Sequence, residues 1–236
     1  RMDHPYVRKY MEDREITAWF LLDLSPSIDF GGEQALKRTV LIDFVATLTR
    51  LLTRHGNRVG AIFYDSQIER IIPARGGRMQ VLRLINDLLK QPSLTRAPLT
   101  NLSPLIGGGL HTMKQRSLVF IISDFIAEPG WERPLSLLTQ RHEALAIRLW
   151  DPREVEIPDI GLVIMEDSET GEQLYVDTHD RSFRTRFADA ARQREAELEA
   201  IFKHAGIAHL ALSTEDDLVS ALVRFAALRQ RQRRSS

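Results

Sequence analysis

The fold is set by the stretch ITAWFLLDLSPS, residues 16–27. Its first part, residues 16–22, is an apolar run bounded by polar residues, which predicts a buried strand. Directly after this run come Asp23, Ser25 and Ser27, one carboxylate and two hydroxyls at alternate positions. An amphipathic helix is predicted next, over residues 33–55. This order of strand, polar loop and helix is typical of an α/β fold.

The three polar side chains after the first strand predict a ligand site. In a doubly wound α/β sheet, ligands bind in the crevice outside the carboxyl ends of the strands. Because Asp23, Ser25 and Ser27 all offer oxygen, the matching ligand is a hard divalent cation, Mg²⁺ first and Mn²⁺ or Ca²⁺ as alternatives. The D-x-S-x-S pattern alone is weak, since Asp23 or Ser25 would equally well cap the following helix.

Two later segments add oxygen donors at comparable positions. Thr100 lies in a loop that leads into a helix after Pro104, and its alternative role is to cap that helix. Asp124 follows the apolar strand predicted over 117–123, and its alternative role is that of a capping or turn aspartate. Each segment has an ordinary structural explanation, but their joint occurrence is much less expected by chance. The candidate metal ligands are therefore Asp23, Ser25, Ser27, Thr100 and Asp124.

The rest of the chain alternates strands and helices, as a mostly parallel sheet requires. We predict strands at 58–65, 68–73, 144–150 and 208–212, and helices at 78–90, 131–141, 183–204 and 216–228. A short turn at 65–66 makes the strand at 68–73 an antiparallel edge strand. Residues 151–178 break the alternation and predict a β-hairpin that projects from the sheet as an insertion. The predicted fold is a Rossmann-like, doubly wound, mostly parallel sheet with one antiparallel edge strand.

The length of 236 residues fits a single domain. Within it we expect an N-terminal extension at 1–15, the hairpin insertion at 151–178 and a basic flexible tail at 229–236. A binding arm is the alternative for that tail. Since the chain begins with Arg1 rather than Met, we expect it to be a trimmed piece of a longer protein.

Composition restricts the function classes. The 32 basic and 32 acidic residues cancel, which argues against a bulk electrostatic nucleic-acid binder. Cysteine is absent, so neither a disulfide framework nor a thiolate site is available, and a reducing compartment is permitted. The sequence carries no apolar stretch of transmembrane length and no visible signal peptide. We expect a cytoplasmic location and no membrane segment in this chain.

Catalytic patterns are weak. The seven histidines are scattered and none has the H-x-x-x-H spacing of metal ligands, and the glycine runs lack the G-x-x-x-x-G-K-[ST] pattern of a phosphate loop. Aspartyl phosphoryl transfer at Asp23 would need a second carboxylate two residues later, where the chain has Ser25. We therefore expect a binding protein rather than an enzyme. The alternative is a metal-dependent phosphoester hydrolase.

The five candidate ligands, in type and order, resemble the metal-ion-dependent adhesion site of von Willebrand factor A domains. More narrowly, the chain resembles a bacterial family known as domain of unknown function fifty-eight. That resemblance is carried by residues 12–15 before the first strand, by Phe30-Gly31 after the motif and by 151–154 after a later strand. Ile28 stands where this family often carries Met, and the ligands are unaffected by that difference.

The resemblance implies a function and a partner. In the adhesion-site family, the bound divalent cation takes an Asp or Glu carboxylate of a partner protein. The bacterial family implies a working relationship with MoxR-type AAA+ ATPases, for which this domain would be an adaptor or co-chaperone. Adhesion at a cell surface is the competing function, which the lack of an export signal and of disulfides disfavours.

Overall fold

The computed structural model describes residues 15–32, 36–93, 99–166 and 171–235. Outside them lie residues 1–14 of the predicted N-terminal extension, the predicted helix start at 33–35, residues 94–98, most of the predicted hairpin turn, 167–170, and the last residue of the predicted tail, 236. The strands are β1 Thr17–Asp23, β2 Arg58–Tyr64, β3 Ile68–Arg75, β4 Leu118–Ser123, β5 Glu143–Trp150, β6 Leu162–Glu166, β7 Gln173–Asp177 and β8 Ala208–Ser213. The helices are α1 Lys37–Arg54, α2 Arg78–Leu89, α3 Ser103–Thr112, α4 Glu132–Arg141, α5 Arg181–Ala205 and α6 Leu218–Ser235. Short 3₁₀ turns at Pro26–Asp29 and Pro152–Glu154 follow β1 and β5.

One six-stranded sheet with the order β3-β2-β1-β4-β5-β8 forms the centre of the described chain. All neighbouring strands in it are parallel except β3, which pairs antiparallel with β2 at the edge. Among the described strands, β6 and β7 pair only with each other, as a separate antiparallel hairpin. The predicted α/β class, with a mostly parallel sheet and an antiparallel edge strand, is confirmed, and the predicted hairpin lies outside the main sheet.

Helices cover both faces of the sheet. Alternate residues of β1 point to opposite faces, so Phe20 lies in one apolar cluster and Leu21 in the other. The cluster around Phe20 includes side chains of α1, α2 and α6, and the rings of Phe20 and Phe120 stack within it, with their centroids 5.1 Å apart. The cluster around Leu21 includes side chains of α3, α4 and α5. Two buried faces explain why the central strands read as continuous apolar runs.

Four leucines in the segments predicted as helices at 33–55 and 78–90 are exposed. The exposed fractions of Leu36, Leu51, Leu82 and Leu89 are 39%, 46%, 48% and 62%. Leu36 precedes α1, whose first residue is Lys37. In α1 and α2 the apolar stripe is wider than the sheet can cover, and periodicity alone does not tell which edge of a wide stripe is buried.

The C-terminal helix is longer than predicted. We expected the helix to end at 228 and a flexible tail to follow, whereas α6 continues to Ser235. The tail at 229–234 consists of Arg and Gln, both of which have high helix propensity, so the helix continues into it. None of the described helices combines the length and the apolar character needed to span a membrane.

Candidate metal site

Asp23 and Asp124 come from the ends of two neighbouring parallel strands. β1 ends at Asp23, and it pairs with β4 with Leu22 opposite Ile122, so both strands leave the sheet side by side. The hydroxyl of Ser123 donates a hydrogen bond of 2.6 Å to Asp23 Oδ2. The carboxyl ends of parallel strands thus bring together two carboxylates that lie 101 positions apart in the sequence (124 − 23).

Ser25 and Ser27 lie beside Asp23 in the turn after β1. The backbone N–H of Ser25 donates to Asp23 Oδ1 at 3.0 Å, and the two serine Oγ atoms are 3.1 Å apart. All three side chains are buried. Ser25 precedes the 3₁₀ turn at Pro26–Asp29 but its side chain makes no capping hydrogen bond. The capping role considered for Ser25 is therefore wrong.

Thr100 reaches the site from the loop before α3. The hydroxyl of Tyr64 donates to the carbonyl oxygen of Asn101 at 2.5 Å and ties this loop to the end of β2. The side chain of Asn101 accepts from the N–H of Ser103 at 2.9 Å, so Asn101 satisfies the first turn of the helix. Thr100 itself is buried and lines the same cleft as Ser27.

The carboxylate of Asp124 accepts hydrogen bonds from the backbone of Ile126 and from Lys37, and the residue after it has a strained backbone. Asp124 Oδ1 accepts from the N–H of Ile126 at 3.0 Å, so Asp124 is also the turn aspartate considered as its alternative role. The next residue, Phe125, has a φ of 59°, which is unusual for a bulky side chain. The ring of Phe125 packs against Trp131 and Phe202, with centroids 5.6 and 5.0 Å away, and this packing holds the strained conformation.

The environment of Asp23 disfavours the charged form of its side chain. Burial, and next the negative charge of Asp124, raise the pKa of Asp23 to about 7, although hydrogen bonds from Ser123 and Ser25 oppose the shift. A nearby cation would stabilise the charged form of a carboxylate in this environment. The electrostatics of this side chain therefore suit a positively charged ligand.

Two charged residues beside the candidate site, Lys37 and Glu154, were not among the residues predicted from the sequence. The side chain of Lys37 is fully buried, and its Nζ lies 2.7 Å from Asp124 Oδ2 and 2.5 Å from Glu154 Oε1. Burial would lower the pKa of Lys37, but the charges of Asp124 and Glu154 outweigh that effect and raise it above the ordinary value. The ammonium group is thus a permanent cation at the edge of the candidate site.

The segment after β5 positions Glu154. Asp151 and Glu154 form a capping box around the 3₁₀ turn: Asp151 Oδ1 accepts from the N–H of Arg153 at 2.9 Å, and Glu154 Oε2 accepts from the N–H of Asp151 at 3.1 Å. The buried Asp151 is fixed in turn by the hydroxyl of Thr214 at 2.6 Å. The sequence signal for Glu154 is its place in the 151–154 motif after a predicted strand.

A cleft of about 880 Å³ opens beside these residues. Ser27, Thr100 and Glu154 contribute to its lining from the side of the sheet. The hairpin β6–β7 and helix α5 form the opposite wall, with the apolar side chains of Met165, Leu174, Phe183 and Phe187. Ser27 and Thr100 therefore connect the buried candidate ligands to a space large enough for a segment of another protein.

The donor set fits a hard divalent cation. It consists of two carboxylates and three hydroxyls, all from buried residues, which are the oxygen ligands that Mg²⁺, Mn²⁺ and Ca²⁺ prefer. Within the described ranges, no group of three or more His, Cys, Asp or Glu side chains is arranged to hold a metal ion. A site whose candidate donors are mostly hydroxyls does not belong to that class, and its few anionic donors would leave a bound cation with much of its charge.

The chain was compared with known proteins. The family model described as "Protein of unknown function DUF58" matches residues 1–197. An uncharacterized protein of Mycobacterium tuberculosis is 34% identical over 231 residues, covering 98% of this chain and 73% of the relative. An uncharacterized protein of Mycobacterium avium is 36% identical over 160 residues, covering 68% of this chain and 94% of the relative.

Solved structures share the fold at low sequence identity. An aerotolerance-related membrane protein from Bacteroides fragilis superimposes with a TM-score of 0.60 at 12% identity, covering 91% of this chain and 97% of that chain. The conserved hypothetical protein BatB from Bacteroides thetaiotaomicron gives a TM-score of 0.57 at 14% identity, covering 91% and 99%. Identities this low establish likeness of fold alone.

Proposed function

Because the chain belongs to the DUF58 family of proteins of unknown function, we propose a function from its site: it is a metal-ion-dependent protein-binding module. Asp23, Ser25, Ser27, Thr100 and Asp124 would hold the divalent cation, with Mg²⁺ the first candidate. The observation that carries the proposal is the pair of buried carboxylates at adjacent parallel strand ends, with hydroxyl donors beside them.

The proposed site belongs to a von Willebrand factor A-like domain. The strand order β3-β2-β1-β4-β5-β8, the antiparallel edge strand and the position of the donors at the carboxyl ends of β1 and β4 support this assignment. The motif D-x-S-x-S, then Thr100, then Asp124 supports it independently of the topology.

Binding rather than catalysis is the proposed activity. A divalent cation held mainly by neutral hydroxyls would supply a positive field that accepts one more carboxylate, provided by an Asp or Glu of a partner protein. The cleft beside Ser27 and Thr100 gives the partner segment access, and its apolar wall suits the side chains that flank the acidic residue. Through its family resemblance, we propose that the partner is a MoxR-type AAA+ ATPase or its target, in the cytoplasm.

Isothermal titration of Mg²⁺ and Mn²⁺ tests the proposed site. We expect binding to the wild type and none to the double variant Ser25→Ala/Ser27→Ala, because two neutral donors are lost. Ser136→Ala is the matched control, since its hydroxyl only bonds the backbone of α4. The titration is repeated with excess acetate, whose carboxylate stands in for that of the partner. Absence of binding to the wild type under both conditions would contradict the proposal.

Two further measurements test the proposed partner and the alternative function. Capture of the ATPase from a lysate should require Mg²⁺ and should be lost in Asp23→Ala. Turnover of a generic phosphoester that disappears in Asp124→Ala would instead support a metal-dependent phosphoester hydrolase.

A further inference from the structure

The ammonium group of Lys37 lies at the candidate metal site with both of its ionic contacts buried or nearly so. Its Nζ contacts Asp124 Oδ2 at 2.7 Å and Glu154 Oε1 at 2.5 Å, and the ring centroid of Phe30 is 5.7 Å away. The exposed fractions of the side chains of Lys37, Asp124 and Glu154 are 0%, 1% and 16%. Lysine is almost never buried this fully unless it is paired, so the two carboxylates account for its placement.

Local structure gives no reason for a lysine at this position. Lys37 is the first residue of α1, where the helix dipole disfavours a positive charge. The preceding residue, Leu36, provides no side-chain cap. What fixes the residue is tertiary: its N–H donates to the carbonyl oxygen of Phe30 at 3.0 Å, at the base of the loop that returns from the D-x-S-x-S turn. A locally unfavourable charge that the fold nevertheless buries is expected at functional or strained sites.

Lys37 and a divalent cation would both interact with the carboxylate of Asp124. Asp124 is a candidate metal ligand, and its Oδ2 is the atom that Lys37 contacts. Glu154 is the second partner of Lys37 and is not among the candidate ligands. The ammonium therefore has a carboxylate to which it remains bound when the charge of Asp124 is shared with a metal ion.

We propose that Lys37 is a built-in counter-cation that competes with the divalent cation for Asp124 and thereby holds the metal affinity of the site low. The proposal rests on the metal-binding function proposed above. Glu154 tunes the competition by offering Lys37 an alternative partner. Lys37 is a positioning residue here, since it acts on the cation through Asp124 and through repulsion of like charges.

This competition makes metal binding and partner binding depend on each other. With Lys37 in place, the two site carboxylates are offset in part before any metal arrives, so the cation binds weakly on its own. A partner carboxylate supplies the missing negative charge, and linkage requires that it raise the metal affinity as much as the metal raises the partner affinity. Lys37 would thus ensure that the site is loaded chiefly when a partner is present.

Titration of Mn²⁺ into three proteins tests the competition. Lys37→Met removes the charge at similar volume, and we expect it to bind Mn²⁺ about tenfold more tightly than the wild type, or better. Lys37→Arg keeps the charge and should stay within about threefold of the wild type. Lys37→Met should also be less stable than the wild type in chelator, and Mn²⁺ should raise its melting temperature by a larger increment. Equal or weaker Mn²⁺ binding by Lys37→Met would overturn the inference.

Glu154→Gln provides the second arm, which stands if Lys37→Met fails to fold. It leaves Asp124 as the remaining carboxylate partner of Lys37, so Mn²⁺ should bind several-fold more weakly than to the wild type. In the double variant Lys37→Met/Glu154→Gln this loss should shrink, because the two side chains act through one another. Unchanged or tighter binding by Glu154→Gln contradicts the inference. If the wild type binds Mn²⁺ but neither prediction holds, only the role of Lys37 is lost; if no variant binds Mn²⁺, even with acetate, the proposed function fails as well.

Discussion

Asp23 carries a pH-dependent cost to the fold. Its pKa rises from 3.8 in the unfolded chain to about 7 in the folded chain, through burial and the charge of Asp124. The folded protein then holds a proton that the unfolded chain releases, so stability falls as pH rises from about 4 to about 7 and is level above that. This residue therefore opposes folding at neutral pH when no cation is bound.

Asp23→Asn should remove that cost. We expect the metal-free variant to match the wild type near pH 4 and to be more stable by about 2 kcal/mol or more near pH 8, since each unit of pKa shift corresponds to about 1.4 kcal/mol. Urea unfolding in chelator across this pH range measures the difference. A difference that does not grow with pH would show that the carboxyl group of Asp23 does not titrate as described.

At the level of single residues, the sequence predicted the oxygen donors but not the cation beside them. Asp23, Ser25, Ser27 and Asp124 follow apolar strands, and position after a strand is visible in the sequence. Lys37 looks like any exposed lysine at the start of a helix. Its burial depends on Asp124 and on Glu154, which are 87 and 117 positions away, and no local pattern records such a contact.

The glycines of α3 belong to packing rather than to phosphate binding. A Cβ added at Gly109 would lie 2.9 Å from Leu21 Cδ1, in the buried contact between α3 and β1, whereas no atom of the described residues lies within 4 Å of a Cβ at Gly107. This contact holds α3 on the sheet next to the loop that carries Thr100. We expect Gly109→Val to lower the free energy of unfolding by about 2 kcal/mol, the typical cost of overpacking a core. Gly107→Val, the matched control, should change it by less than about 0.5 kcal/mol, and denaturant titration distinguishes the two.

The hairpin β6–β7 lines the cleft and is separate from the main sheet. Within the part of the chain that the structure describes, its strands pair only with each other, and Leu162 is opposite Asp177, so the two ends of the hairpin lie close together. Replacing Leu162–Asp177 by a short Gly-Ser turn should leave the fold and the Mn²⁺ affinity intact but should abolish capture of the partner, because one wall of the cleft is gone.

A point substitution separates the cleft wall from the rest of the hairpin. Leu174 lines the cleft, whereas Leu162, which is similarly exposed, does not. Leu174→Ser should weaken partner capture and Leu162→Ser should not. Loss of Mn²⁺ affinity in the hairpin deletion, or equal effects of the two serine substitutions, would show that the hairpin has a different role.

At the level of secondary-structure elements, the sequence predicted the order and type of the helices and strands better than their first and last residues. Gly206 ends α5 in the αL conformation, which glycine adopts readily, and the last residue of α5, Ala205, is one position beyond the predicted end at 204. Among the described residues α1 begins at Lys37, after the extended Leu36, whereas the predicted start at 33–35 lies outside them. The end of α6 was misplaced because helix formers without an apolar stripe give no signal of where a helix stops.

For the whole molecule, the sheet topology puts the predicted donors at the carboxyl end of the central sheet, and this links metal binding to the stability of the fold. The donors come from the end of β1, the loop before α3 and the end of β4, so only the folded chain assembles them. A ligand that binds the folded state alone stabilises it by mass action. A divalent cation should therefore raise the temperature at which the entire fold melts.

The size of that stabilisation should depend on pH with a definite sign. Below the pKa of Asp23, about 7, the cation must displace a proton, so its apparent affinity should fall up to about tenfold for each pH unit below that value. Thermal unfolding with Mg²⁺ and with chelator should consequently differ more near pH 8 than near pH 6, and Asp23→Asn should show little difference at either. A cation effect of equal size at both pH values would mean that the ion binds elsewhere on the folded chain. A larger stabilisation by Mg²⁺ near pH 8 that is lost in Asp23→Asn would show that the cation stabilises the fold by binding beside Asp23. A cation site elsewhere on the surface would not respond to that one carboxyl group.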